Sequence, residues 1–254
     1  MDAPTVSLIA VPGVPMVQPG DDLPALVVDA LSRAGLPLQP GDVVVVTSKI
    51  VSKAEGRIVD LRTVKPSPRA EELAALTDKE PALVELVLRE STEIVRAVPT
   101  TLIVRHRLGF VSANAAIDRS NADGGEHTAL LMPLDPDASA VRIKAALDAA
   151  FGSGQGVVIT DTHGRPFRRG NIGVAVGVAG FEGLVDMSGQ HDLFGRELKA
   201  TIVPLADEIA AAAALVSGET SEGLPIVIVR GVATRPSNAG SVELLFPADR
   251  DLFR

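Results

Sequence analysis

The fold is decided by the stretch Val43-Val44-Val45-Val46-Thr47-Ser48-Lys49. A continuous run of β-branched apolar residues is typical of a strand that is buried on both faces. The turn-forming residues Pro40-Gly41-Asp42 precede this run. A second run of the same kind, residues 157–160, leads directly into Asp161 and Thr162. We therefore predict two buried strands that carry polar side chains at their ends.

Helical periodicity and strand-like runs alternate irregularly on either side of these two strands. Helices are predicted over residues 23–34, 50–56, 68–76, 81–89 and 206–216, and one more, capped by Asp137, through Phe151. Further strands are predicted near residues 7–11, 101–104, 109–113, 173–180, 198–203 and 226–229, and loops over 114–125 and 217–223. The absence of strict strand–helix alternation favours an α+β class, with mixed sheets and flanking helices. Gly173, Gly177 and Gly180 indicate close packing against the sheet.

Composition excludes several classes of protein. The 254 residues carry a formal net charge of −8 and include no cysteine. Disulfides, thiolate metal sites and a cysteine nucleophile are therefore excluded. The negative charge argues against a nucleic-acid partner, since phosphate backbones are bound by clustered Lys and Arg. No apolar run reaches the ~18 residues of a membrane helix, and we expect a cytoplasmic protein with no membrane partner.

The candidate chemistry lies in carboxylates that follow predicted strands. Asp118, Asp161 and Thr162 offer the oxygen ligands that Mg²⁺ or Mn²⁺ prefers. An alternative is that each Asp only forms a turn. Lys53 could face a phosphate or be a solvated lysine at a helix end, and the loop 217–223 could wrap a nucleotide or simply end a helix. The phosphate-binding P-loop and dinucleotide-binding glycine motifs are absent, and each of the four histidines stands alone without ligand spacing.

Four stretches together resemble the coenzyme F420:L-glutamate ligase (F420-0 γ-glutamyl ligase) family: residues 43–57, 109–121, 159–170 and 192–198. The similarity runs from about residue 14 to 231. The resemblance implies one ligase domain over residues 1–254, without a fused flavin-binding region and with two intimately connected subdomains. It implies that L-glutamate is joined to the deazaflavin coenzyme F420-0, with GTP as co-substrate. It also implies two divalent ions (Mg²⁺ or Mn²⁺), K⁺ as a further cation, and a homodimer.

The resemblance also implies roles for individual residues. Asp118 and Asp161 match ligands of one metal ion, while Thr162 and Glu219 match contacts of a second. Together with Lys53, the two aspartates form the expected catalytic set. The residues that match nucleotide-binding positions are Val14, Pro15, Met16, Val17, Ser48, Lys53, Asn121, Ser217, Gly218, Glu219, Thr220, Ser221, Glu222, Gly223 and Leu224.

Three other functions remain open at this stage. The chain could be a γ-glutamyl ligase for another carboxylate, such as a folate, because the motifs concern phosphate and metal chemistry. It could also be a nucleotide-binding module without catalysis, or a metal-dependent phosphohydrolase. GTP and ATP are not distinguished by the sequence.

Overall fold

The valine run forms the central strand of a five-stranded sheet in the computed structural model, which describes residues 3–120, 125–247 and 250. The strand order is β1 (Ser7–Ala10), β12 (Ile226–Arg230), β2 (Val43–Thr47), β8 (Gly156–Arg165) and β9 (Arg168–Ala179). Strand β2 pairs in parallel with β8, and every other pairing in this sheet is antiparallel. The two buried strands that the sequence predicts are therefore direct neighbours.

The described part of the chain contains twelve strands and six α-helices. The strands are β1 (Ser7–Ala10), β2 (Val43–Thr47), β3 (Ile58–Asp60), β4 (Ser91–Val98), β5 (Thr101–His106), β6 (Val111–Ala113), β7 (Thr128–Leu130), β8 (Gly156–Arg165), β9 (Arg168–Ala179), β10 (Val185–Asp186), β11 (Ile202–Val203) and β12 (Ile226–Arg230). The helices are α1 (Leu23–Arg33), α2 (Ser48–Ala54), α3 (Pro68–Thr77), α4 (Pro81–Arg89), α5 (Pro136–Phe151) and α6 (Leu205–Ser217). The α+β class with mixed sheets is confirmed.

Hydrophobic cores cover both faces of the five-stranded sheet. Successive side chains of a strand point to opposite faces, so Val44 and Val46 join the core under α1 and α5. Val43 and Val45 join the core under α6. All four valines are at most 2% exposed, which explains why the run contains no polar residue.

A separate core lies around helices α3 and α4. It includes Leu73, Leu83 and Val87 from these helices and Leu102 and Val104 from β5. Strands β4, β5 and β6 form a three-stranded sheet here, and β3 pairs with β7. None of the helices in the described ranges has the length and apolarity needed to cross a bilayer.

Strand β9 is an edge strand, and two carboxylates accept hydrogen bonds from its backbone amides. Asp207 accepts a hydrogen bond from the Ala175 amide at 2.8 Å, and Asp137 accepts one from Val178 at 2.7 Å.

The prediction that Asp137 caps α5 is wrong. The cap is Asp135, whose carboxylate accepts the Ala138 amide at 2.9 Å. Pro136 then occupies the first helical turn, where its fixed φ suits the helix.

Other boundaries also differ from those that the sequence predicts. Strand β8 continues to Arg165 instead of ending at residue 160, because β9 pairs with it as far as Arg168. The sequence does not predict strand β4, since its exposed charged positions hide the alternation. The strand predicted over residues 198–203 is reduced to Ile202–Val203.

The close packing predicted for the glycines of β9 is confirmed, and its energetic weight can be measured. A Cβ at Gly177 would lie 2.5 Å from the Pro136 carbonyl oxygen. We expect Gly177→Ala to lower the free energy of unfolding by about 2 kcal/mol, as overpacking does. Gly164→Ala is the matched control in the paired strand, because its nearest neighbour is 3.8 Å away. Equal urea midpoints for the two variants would show that the contact of β9 with Pro136 is not tight.

Candidate active site

A cavity of about 410 Å³ opens where the pairing between β2 and β8 ends. Segments far apart in the chain line it, and they include most of the residues that the sequence predicts for nucleotide binding. The lining residues are Val14, Pro15, Met16, Val17, Thr47, Ser48, Lys49, Ile50, Lys53, Thr160, Asp161, Thr162, Gly173, Ala214, Ser217, Gly218, Glu219, Thr220, Ser221, Glu222, Gly223, Leu224 and Pro225. The predicted contact Asn121 lies outside the described residues.

Strand register explains why distant residues meet in this cavity. Thr47 is paired with Thr160 in the parallel β2–β8 ladder. Ser48 and Asp161 are therefore the next residues along two neighbouring segments that run in the same direction. The carboxyl ends of parallel strands share one sheet edge, which is where open α/β sheets commonly bind ligands.

Each carboxylate oxygen of Asp161 lies close to a polar group, although His163 Nε2 makes no hydrogen bond within the part of the chain that the structure describes. Ser48 Oγ donates a hydrogen bond to Oδ1 at 2.7 Å, and His163 Nε2 lies 3.0 Å from Oδ2. The side chain is only 16% exposed. Asp161 lies within β8 rather than after its end, where the sequence predicts it, so a paired strand fixes its backbone.

Asp118 lies beside the cavity rather than among its lining residues, and Lys49 connects the two. Lys49 Nζ is 2.6 Å from Asp118 Oδ2, while Ser120 donates to Oδ1 through both its amide and its hydroxyl, at 2.7 and 2.8 Å. Burial alone would raise the pKa of the Asp118 carboxyl, but Lys49 and Ser120 outweigh that effect and lower it. Asp118 is therefore a carboxylate at neutral pH.

A left-handed turn delivers Asp118 to this position. Asn114, Ala115 and Ala116 have φ values of 51, 53 and 54°. Each such residue costs roughly 1–2 kcal/mol when it is not glycine. The Ala115 side chain is fully buried, and the Asp118 backbone exchanges two hydrogen bonds with Leu130, at 2.8 and 3.0 Å. Packing and pairing on either side thus hold a turn that the sequence predicts only as a loop.

The loop after α6 forms the opposite wall of the cavity. Gly218 ends the helix with φ 73°, and Glu222 accepts hydrogen bonds from the Thr220 amide and hydroxyl at 2.8 and 3.2 Å. Thr162 Oγ1 lies 3.4 Å from Glu219 Oε1. The two predicted readings of this loop are therefore compatible, because it ends a helix and also lines the cavity.

Lys53 is buried at the cavity, which contradicts one of the two alternatives that the sequence suggests. It lies in the last turn of α2 instead of directly after a strand, and it is only 7% exposed. Its atoms line the cavity. The interpretation of Lys53 as a solvated lysine is therefore wrong.

Sequence reasoning missed the role of His163. The His163 ring belongs to a row of three rings: Phe110 is stacked on His106 and tilted by 46° to His163, and the ring centroids are 4.8 Å apart in both pairs. His106 is fully buried, as expected for a core histidine. The signal for His163 was the spacing Asp161-Thr162-His163, because residues two apart in a strand share a face.

Glu90 lies beside His106, at the end of the row of rings opposite His163. Its carboxylate accepts hydrogen bonds from Arg57 at 2.8 Å and Arg107 at 3.0 Å, and His106 Nε2 lies 3.5 Å away. Burial would raise the pKa of Glu90, but His106, Arg57 and Arg107 together lower it from 4.5 to about 2. The folded protein thus favours the ionised form.

This depressed pKa generates a pH-dependent prediction. The stabilisation from ionised Glu90 is complete above pH 4.5 and is lost as the pH falls towards 2. Glu90→Gln should therefore lower the free energy of unfolding by about 3 kcal/mol at pH 7, with the deficit shrinking below pH 4.5. Urea unfolding of both proteins across this range checks it. A deficit that grows as the pH falls would refute the assignment.

The oxygen atoms at this site suit a divalent ion that is also coordinated by substrate phosphates. No three His, Asp or Glu side chains converge into a metal cage within the part of the chain that the structure describes. Mg²⁺ is commonly bound by one or two carboxylates plus substrate phosphates and waters. Asp161, Thr162 and Glu219 supply oxygens of that kind in the cavity wall, while Asp118 lies beside the cavity and pairs with Lys49.

Comparison with known proteins defines the class. The profile of the F420-0:Gamma-glutamyl ligase family matches residues 13–231. A protein named coenzyme F420:L-glutamate ligase from Methanothermobacter thermautotrophicus is 49% identical over 251 residues, covering 98% of this chain and 99% of its own length. Proteins of the same name from Methanopyrus kandleri and Halobacterium salinarum are 43% and 45% identical, covering 99% and 96% of this chain and 98% and 94% of their own lengths. The chain belongs to the F420-0:γ-glutamyl ligase family.

Proposed function

We propose that this protein joins L-glutamate to the carboxylate of the deazaflavin coenzyme F420-0, with GTP and divalent metal ions. The proposal rests on family membership and on one structural observation. Residues 14–17, Ser48, Lys53 and the loop 217–224 meet in one cavity, with Asp161 in its wall. These segments are far apart in sequence, so a shared ligand is a simple reason for their convergence.

The cavity offers complementary groups for a triphosphate. Lys49 and Lys53 are cations in its wall, and the turn at residues 217–223, where the Thr220 amide donates to the Glu222 carboxylate, lines it as well. The apolar residues Val14 and Leu224 lie on the same cavity and could pack against a base. GTP is the expected nucleotide. Competition between ATP and GTP for binding measures the preference of the protein for GTP.

Two pairs of side chains would hold the metal ions. Asp118 and Asp161 would ligate one ion, and Thr162 and Glu219 the other. A bound divalent ion neutralises the charge that develops on transferred phosphate oxygens. The hydrogen bond from Ser48 orients the Asp161 carboxylate, so the position of this ligand is set before the nucleotide arrives.

The chemistry requires activation, because a carboxylate has no good leaving group. In the proposed reaction, a carboxylate oxygen of the coenzyme attacks the γ-phosphorus, the bond to the β–γ bridging oxygen breaks, and GDP leaves. The neutral amine of glutamate then attacks the acyl phosphate carbon. Phosphate leaves with the bonding electron pair, and the amine loses one proton. The protein contributes positioning and charge neutralisation rather than a covalent intermediate.

The homodimer is also part of the proposal. Leu193 and Phe194 are 100% and 95% exposed, and Ile202 is 55% exposed. Two adjacent apolar residues as exposed as Leu193 and Phe194 are typical of an interaction surface. Sedimentation at several concentrations distinguishes a dimer from a monomer.

One incubation distinguishes the proposed function from its rivals. The protein is mixed with F420-0, L-glutamate, GTP and Mn²⁺, then analysed by mass for added glutamyl units and by assay for phosphate. Phosphate release that needs both glutamate and F420-0 supports the ligase. Release without an acceptor indicates a phosphohydrolase, binding without turnover indicates a module, and turnover only with a folate indicates another acceptor.

Asp118→Ala tests the metal assignment. Loss of several kcal/mol of transition-state stabilisation should lower kcat at least about 100-fold. The variant should also bind Mn²⁺ more weakly in the presence of a nucleotide, as measured by calorimetry. Asp29→Ala is the matched control, since Asp29 is an exposed carboxylate of α1. Full activity of the Asp118 variant at unchanged metal concentration would rule out this role.

A further inference from the structure

The hairpin between β8 and β9 ends in a cationic and aromatic group of residues. Arg165 pairs with Arg168 across the hairpin, and Pro166 and Phe167 form the two-residue turn. Arg169 follows in β9. We refer to residues 165–169 as the arginine tip.

The turn places a bulky residue where glycine is favoured. Phe167 has φ 60°, and the second turn position with positive φ normally requires Gly or Asn. Its side chain is 93% exposed, so burial of the ring does not offset the backbone strain. A strained residue that contributes little to the core is a sign of function.

The guanidinium groups of the tip have no carboxylate within ion-pairing distance among the described residues. Arg165 Nη2 donates only to the Arg169 carbonyl, at 3.4 Å, and the Arg165 Nε atom is buried without a hydrogen-bond partner there. By contrast, Arg57 and Arg107 share Glu90. In a chain with a net charge of −8, three such arginines within five residues concentrate positive charge at one point.

The tip is continuous with the candidate active site. Thr162 lines the cavity on β8 and pairs with Gly173 of β9, which also lines it. Arg165 is three residues further along β8, which corresponds to roughly 10 Å. A ligand that extends out of the cavity along the hairpin therefore reaches the arginine tip.

We propose that the arginine tip binds the acceptor substrate, an anion that carries a planar aromatic ring. This inference rests on the proposed function, in which the acceptor presents a carboxylate to the nucleotide. The guanidinium groups match carboxylate and phosphate oxygens in a bidentate geometry. The exposed face of Phe167 offers a stacking surface for the planar ring.

The test separates the three substrates. Arg168→Gln/Arg169→Gln should raise the KM for F420-0 roughly tenfold, since each lost charge-assisted hydrogen bond weakens binding. The KM values for GTP and glutamate should stay unchanged. Arg69→Gln is the matched control, because Arg69 is an exposed arginine of α3. A rise in the KM for glutamate or GTP instead, or no change in any KM, overturns the proposal.

The Phe167→Gly variant distinguishes an effect on substrate binding from an effect on folding. Glycine relieves the positive φ, so the melting temperature should stay equal or rise, while the KM for F420-0 rises several-fold. A merely structural residue would leave that KM unchanged, which would contradict the proposal.

Calorimetry keeps this test independent of catalysis. Direct titration of F420-0 into the unmodified protein and into both tip variants measures binding without turnover. Weaker binding to the variants supports the proposal, and equal binding overturns it. Failure of the proposed function appears separately, as no glutamate incorporated by the unmodified protein.

Discussion

The hydrogen bond from Ser48 Oγ to Asp161 Oδ1 joins the residue that follows β2 to the parallel neighbouring strand β8. It exists because β2 and β8 run in parallel with Thr47 opposite Thr160. A slip of one residue would turn every side chain of a strand to the opposite face. It would move the valines out of their cores and Asp161 away from Ser48 at the same time. The geometry of the site therefore depends on the hydrophobic register of the sheet.

Charge organises the rest of the site around that register. Lys49 follows Ser48 in α2 and pairs with Asp118, so two adjacent residues contact the two aspartates. The left-handed turn at residues 114–116 is disfavoured by itself. It is held by the burial of Ala115 and by the backbone pairing of Asp118 with Leu130. Strain at a functional position is thus offset by packing and pairing close by.

Sequence patterns predicted the central strands because a run of four valines has few alternative structures. They also identified the segments of the cavity, because local chemistry and family resemblance pointed to the same residues. They could not show that β8 extends past Asp161, since that extension comes from pairing with β9. Nor could they show the burial of Lys53 or the contact of His163 with Asp161, which depend on how distant segments pack together.

Under the proposed function, this acidic protein binds polyanionic substrates, and its positive charge must therefore be concentrated near the site. Here Lys49 and Lys53 line the cavity, and acids around it are tied to donors such as Ser48, Ser120 and Thr220. The described residues form no metal cage by themselves. Under the proposed function, a divalent ion completes its ligand shell only with phosphate oxygens. The metal ions and the nucleotide then bind together. The carboxylates in the cavity wall stabilise the complex once both are bound.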